Sequence, residues 1–193
     1  TIKRYYLIIY TVIGLMLIAV GSMIMLVLDN QKTLNESQVI RYESYLLANE
    51  LRQSSEELTS MARTYVATRN PRYEEKYLDI LAVRNGEKPR LDGRRIALKT
   101  LMQEAGFTAE EFAKLKESED LSNNLVKTET IAMNAVKGIY EPGQGNLAKK
   151  ELPEGTLETD EAFALRLMFN DNYHAEKAKI MIPIDEFMDM LTK

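Results

Sequence analysis

Tyr5 to Leu28 read YYLIIYTVIGLMLIAVGSMIMLVL, 24 residues without a charged side chain, preceded by Lys3-Arg4 and followed by Asp29-Asn30. A helix rises ~1.5 Å per residue, so this run reaches about 36 Å and crosses a hydrocarbon core of ~30 Å with some tilt. A cleaved signal peptide carries a shorter apolar stretch, roughly 7–15 residues, ending in a small-x-small site. Here the run is longer and no A-x-A follows it. The reading is therefore a retained transmembrane helix. Positive charge marks the cytoplasmic flank of a span, so Lys3 and Arg4 put the N-terminus inside and residues from Asp29 onward outside. Tyr5, Tyr6 and Tyr10 suit the inner interface. Gly14 and Gly21 share a face that permits close packing of a second helix. Two regions result: 1–28, an N-terminal cytoplasmic flank and transmembrane helix, and 29–193, an extracytoplasmic domain.

Composition excludes several classes. Beyond residue 28 the chain holds all 29 acids against 23 bases, and nucleic-acid binding calls for a basic patch instead. There is no Cys, hence no disulfide and no thiolate metal site. One His and no Trp leave little for metal or nucleophile chemistry, so neither metal nor cofactor is expected. Gly143-Gln144-Gly145-Asn146 lacks the spacing and the following Lys-Ser/Thr of a phosphate loop. No catalytic constellation is visible and the fragment is not read as an enzyme. The chain opens on Thr1 rather than Met and reads as part of something longer.

Beyond the span the pattern is helical throughout. Asn35–Thr68 has no Gly or Pro, and Ile40, Ser44, Leu47, Leu51, Ser54, Leu58, Met61 and Tyr65 follow a 4-3 spacing, the seam of a bundle helix. Asn70-Pro71 caps and opens a second, short helix to about Val83. A loop over Arg84–Pro89 and a third helix from about Asp92 to Ala105 follow. Thr108 and Glu111 form a capping box that starts a long helix with Leu121, Leu125, Thr128, Ala132, Ala135 and Ile139 on its seam. Glu141–Gly155, rich in Gly and Pro, reads as an exposed loop. The last helical region starts near Thr159-Asp160, with Tyr173, Lys177, Ile180, Ile184, Phe187 and Leu191 as its seam. Pro183 predicts a kink or restart there. The fold class is all-α: a transmembrane helix continuing into an up-and-down helical bundle with short distal helices. An even number of crossings returns Lys193 to the membrane, where a second span is expected.

Several stretches carry a family resemblance. Glu50-Leu51-Arg52-Gln53-Ser54-Ser55-Glu56-Glu57-Leu58-Thr59, Met61-Ala62-Arg63-Thr64-Tyr65-Val66, Asn70-Pro71-Arg72-Tyr73, Arg84-Asn85-Gly86-Glu87-Lys88-Pro89-Arg90, Ala132–Gly138 and Tyr173-His174 through Ile184 resemble the outer helical-bundle sensor module of bacterial transmembrane receptors. These receptors include methyl-accepting chemotaxis proteins, hybrid sensor histidine kinases and nucleotide cyclases. The resemblance spans nearly the whole chain and implies a periplasmic ligand-sensing module on a bacterial inner membrane, most often a homodimer. Kinase or cyclase activity would belong to an attached output domain. The competing reading is a membrane-anchored helical structural or adaptor protein.

With Leu51, Leu58 and Tyr65 as heptad a-positions, Arg52, Arg63 and Arg69 fall at b, f and e and point away from the helix's own core. One reading is solvated surface charge. The other places Arg63 and Arg69, with Tyr65 and Tyr73, around a distal pocket for a carboxylate or oxyanion, since guanidinium forks bond such groups bidentately. These four residues are the candidate ligand-binding set. The expected partners are the membrane, a second copy of the chain, and a small anionic ligand or a periplasmic binding protein. The acid clusters Glu74-Glu75, Glu110-Glu111 and Glu117-Ser118-Glu119-Asp120 read as solvated helix faces, and His174 as an isolated side chain.

Overall fold

The computed structural model describes residues 2–140 and 147–192, the side chains of 8, 33, 36 and 37 excepted. Of the expected loop Glu141–Gly155, residues 141–146 with the Gly143-Gln144-Gly145-Asn146 stretch lie outside the described residues, as does the expected return to the membrane at Lys193; Glu151–Gly155 are exposed and Leu147, Ala148 and Lys149 half-buried. The protein is all-α, with helices α1 (Ile2–Thr68), α2 (Pro71–Arg84), α3 (Leu98–Glu104), α4 (Ala109–Ala135), α5 (Asp160–Phe169) and α6 (Asp171–Leu191). Two compact units divide it, Thr1–Tyr42 and Glu43–Lys193. In the first, Ile2–Lys32 is long and apolar enough to span a membrane, and none of its most apolar window is buried. The second is the helical bundle.

Cross-helix bonds set the directions within the bundle. Ser55 and Thr59 of α1 meet Ser122 and Glu129 of α4 in rising order, so these two helices run parallel. Tyr77 and Arg84 of α2 meet Glu129 and Ser122 in falling order. Ser118 and Glu129 of α4 meet Ile180 and Tyr173 of α6, again falling. The bundle is thus up-down-up-down through α1, α2, α4 and α6, and α2 is a full member of it. The larger apolar cluster gathers Leu58, Ala62, Tyr65, Tyr77, Leu125, Ala132, Phe163, Leu167 and Ile180. A smaller one joins Ala48 and Leu51 to Leu98, Met102, Leu115, Ile184 and Phe187, which seats α3 at the Ala48 end.

Local chemistry accounts for the element ends. Asn70 caps α2 by accepting from Arg72 N, with Pro71 in the first turn. The capping box of α4 is complete, Thr108 with Glu111. Helix α3 is shorter than the expected Asp92–Ala105, because Asp92 accepts a hydrogen bond from Arg94 N and Gly93 takes φ +82°, a turn that competes with helix. The C-terminal helix breaks at Asn170, which ends α5 and caps α6 through Tyr173 N, and not at Pro183. Helix α6 runs through Pro183, and Ser118 Oγ donates to the nearby Ile180 carbonyl at 2.8 Å.

The buried stripes differ from the expected seams by one column. On α1 the core positions are Ser44, Ala48, Leu51, Ser55, Leu58, Ala62 and Tyr65, while Leu47, Ser54 and Met61 are half-buried and Ile40 is 55% exposed. Both columns have heptad spacing, and small Ala48, Ser55 and Ala62 let neighbouring helices approach where Leu47 and Met61 would hold them off. On α4 the stripe is Leu115, Ser118, Ser122, Leu125, Glu129, Ala132 and Ala135, and Ile139 is exposed beyond the helix end. The same shift buries Ser118 and Glu119, which corrects their reading as part of a solvated face.

The register is testable at adjacent positions. Ala62→Leu, which overpacks the centre, costs about 1–3 kcal/mol, and Met61→Leu, a volume-conserving change, under about 1.5 kcal/mol. Leu58→Ala costs about 2–5 kcal/mol. Urea titration of the detergent-solubilised chain reads all three, and a neutral Ala62→Leu would place the core on the other column.

Candidate functional site

A carboxylate sits at the centre of the bundle. Glu129, 1% exposed, accepts from Tyr173 Oη at 2.7 Å and Thr59 Oγ1 at 3.1 Å on one oxygen, and from Tyr77 Oη at 2.9 Å on the other. Three helices thus send a hydroxyl to one acceptor on a fourth. Burial pushes the Glu129 carboxyl above the usual carboxylate range, against the three hydroxyl bonds and nearby Arg84, which lower it. Burial and then Glu129 push both phenols, Tyr77 and Tyr173, far above their ordinary value. Two turns earlier on α4, Ser122 anchors a second set of buried polar contacts. Arg84, also buried, donates to Ser122 Oγ at 2.8 Å and Asn123 Oδ1 at 3.0 Å, and Ser122 shares a 2.9 Å hydrogen bond with Ser55.

Beside this network lies a cavity of about 530 Å³, lined by Glu50, Gln53, Ser54 and Glu57 of α1, Asp79, Ile80, Val83 and Arg84 of α2, and Arg90, Leu91 and Asp92 of the following loop. The loop is folded back at Gly86, whose φ is +78° and where a Cβ would come within 2.5 Å of Ala97 N. Only glycine fits there. Three of the four lining carboxylates are ion-paired, Glu50 with Arg90, Asp79 with Lys88 and Asp92 with Arg94. Glu57 accepts a 2.8 Å bond from Gln53 and forms no ion pair among the described residues. The Arg90 side chain is 10% exposed, and its Nη1 is buried without a hydrogen-bond partner. A buried donor left unpaired costs ~1–3 kcal/mol.

The four sequence-derived candidates occupy other positions. Arg63 donates from Nε to the Met168 carbonyl at 3.0 Å, stacks over the Phe169 and Tyr173 rings at 5.0 and 4.8 Å, and reaches His174 Nδ1 at 3.4 Å. It holds the α5–α6 joint. Arg69, with φ +55° just past α1, pairs with Glu161. Tyr65 is buried beside Glu74, and burial, then that carboxylate, push its phenol up. Tyr73 packs half-buried against the main core. The tyrosines belong to one cluster, whereas the two arginines have separate partners. The Glu129 network and the cavity were not anticipated. Glu129, Ser122 and Ser118 did stand at 4-3 spacing with Leu125 and Ala132, which is the signal that a polar column was the buried one.

Compared with family models, with curated proteins and with solved structures, the chain gives no match.

The buried carboxyl has a pH signature. The folded-state pKa of Glu129 is raised above 4.5, so the folded chain holds this proton more tightly than the unfolded one. That stability is complete below about 4.5 and is lost as pH rises through the folded-state value. In melting curves from about pH 4 to about pH 8, wild type loses stability with rising pH relative to Glu129→Gln, which carries no proton to lose. Parallel curves would show that Glu129 titrates normally. Glu129→Ala leaves buried hydroxyls without their acceptor and costs about 1–3 kcal/mol throughout.

Proposed function

We propose that this chain is the extracytoplasmic ligand-sensing module of a bacterial transmembrane signal-transduction receptor, in the class of methyl-accepting chemotaxis proteins and sensor histidine kinases. The observation that carries this reading is the composition of α1. One helix holds an exposed apolar stretch fit to span a membrane and, further along, Leu51, Leu58, Ala62 and Tyr65 of the bundle core. The resemblance of the residues Glu50–Val66 and Arg84–Arg90 to the sensor module supports it. So does the cavity beside a buried polar network, which offers a place for a small molecule to bias packing. In this reading the N-terminus is cytoplasmic, the bundle periplasmic, the membrane the bacterial inner membrane, and the working unit a homodimer. Exposed Tyr45 and Leu46 on α1 supply apolar surface for the second copy. A ligand acts by binding two packings with different affinity, and ~1.4 kcal/mol of difference shifts their ratio tenfold.

The absence of cysteine makes topology directly measurable. With a membrane-impermeant maleimide, Gln38→Cys, at an exposed position of α1, is labelled on intact cells, whereas Lys3→Cys is labelled only after permeabilisation. The opposite pattern rejects the orientation. Sensing is read by joining residues 1–193, through a second span, to a kinase-control domain and screening small molecules and binding proteins for a change in output. An output indifferent to every compound, and to Glu129→Gln, rejects the sensor reading in favour of a membrane-anchored structural protein.

A further inference from the structure

Glu129 differs from the other buried carboxylates. Glu158 pairs with Arg166 and Glu119 with Lys99. The partners of Glu129 are three hydroxyls, from Thr59 of α1, Tyr77 of α2 and Tyr173 of α6, and among the described residues it forms no ion pair. The cations on the facing helices are engaged elsewhere. Arg84 of α2 gives its hydrogen bonds to Ser122 and Asn123. Arg63 of α1 lies over the Tyr173 ring and bonds the Met168 carbonyl, with His174 of α6 beside it. From α5 the apolar Phe163, Leu167 and Met168 reach this core. A hydroxyl both donates and accepts. With the carboxyl ionised, all three donate to it. With the carboxyl protonated, its own O–H donates to Thr59 Oγ1, 3.1 Å away, and the threonine hydrogen turns to a backbone carbonyl of its own helix. Tyr77 and Tyr173 remain donors. Every polar group thus keeps a partner in both states, but only the protonated one is free of an unpaired buried charge. Release of the proton leaves that charge at a residue 1% exposed, and favours any packing in which the carboxylate is hydrated or paired.

We infer that Glu129 is a proton-binding site that switches the bundle: the protonated carboxyl holds this packing, and loss of the proton as pH rises selects a second packing in which the carboxylate meets water or Arg84. The proton then acts as any ligand does, and a tenfold difference in its affinity for the two packings shifts their ratio by up to tenfold. The inference rests on the sensor reading for its signalling consequence, whereas the proton and the packing are measured without it.

Two readouts on the full chain in lipid nanodiscs test it from about pH 5 to about pH 9. The first is the infrared carbonyl band of a protonated carboxylic acid. It is present at the acid end, disappears reversibly as pH rises, and is assigned to Glu129 by its absence in Glu129→Gln. The second is the distance between spin labels on Glu56→Cys and Ala178→Cys, exposed positions of α1 and α6. A second distance population grows as the band is lost. Glu129→Gln, with no proton to release, keeps one population throughout. His174→Gln, in which the chain's one histidine is gone, behaves as wild type. Tyr77→Phe removes a donor to the ionised form and moves both midpoints up by about one pH unit, a shift that reads the site even where Glu129→Gln fails to fold. A carboxyl that stays ionised or stays protonated over the whole range overturns the inference. So does a titration that leaves wild type with one population, or a second population that persists in Glu129→Gln or vanishes in His174→Gln. A response of the kinase-control fusion to some compound, without a proton-linked change in distance, likewise overturns it and leaves the sensor reading intact. A proton-linked change in distance with an output indifferent to pH upholds the inference and rejects the sensor reading.

Discussion

One carboxylate constrains the bundle more than any apolar contact does. Glu129 is removed from water, and an ionisable group there is tolerated only if its oxygens are bonded. Thr59, Tyr77 and Tyr173 supply those bonds from α1, α2 and α6. Apolar side chains tolerate sliding by a fraction of a turn, but these hydroxyls do not, because each must end within hydrogen-bond reach of one carboxylate. The relative register of four helices is therefore set at this level. The small residues of α1 follow from it. Thr59 reaches across to α4 between Ser55 and Ala62, where bulkier side chains would hold the helices apart.

The rest of the core is arranged around that level. Toward the Thr68 end, α5 closes the main cluster with Phe163, Leu167 and Met168, and Arg63 fastens the joint where α5 gives way to α6. Toward the Ala48 end, α3 and α6 close a second cluster, with Phe107 edge-on to Phe187 at 5.1 Å. Ser118 bonds the α6 backbone between the two clusters, near Pro183. A proline removes one backbone donor and loosens the ladder, and a neighbour's hydroxyl bonds α6 about one turn earlier, at Ile180.

Much of this was legible in the residues. The apolar run at Tyr5–Leu28, the Asn70-Pro71 start and the Thr108/Glu111 box depend on neighbouring residues only, and local chemistry decides them. The seams were legible as seams but not as to column. Leu47-Ser54-Met61 and Ala48-Ser55-Ala62 share the same spacing, and hydrophobicity favours the first. What favours the second is the distance at which partner helices can pack, which no single helix reveals. The same ambiguity hid Glu129, since a glutamate on α4 reads as solvated until Tyr77 and Tyr173 are brought to it from 52 and 44 residues away. The cavity was out of reach for a like reason. It exists because the 85–97 loop folds back over α1 and α2, and that depends on a backbone approach between Gly86 and Ala97. Arg63 and Arg69 were legible as cations off the helix core, but their partners Met168, His174 and Glu161 lie on α5 and α6.

Cavity and buried network are joined by one side chain. Arg84 lines the cavity and donates to Ser122, which is bonded to Ser55 on α1 and stands two turns before Glu129 on α4. For the proposed sensing role this is a short physical route between an occupant and the register of the helices. A molecule that drew Arg84 toward the cavity would take a donor from Ser122 in a place where water does not replace it. Buried polar groups of this kind favour discrete arrangements over graded ones, since intermediate positions leave bonds unmade. In that reading the bonds an occupant would disturb are those of Arg84 and Ser55 to Ser122, while the three to Glu129 hold the register.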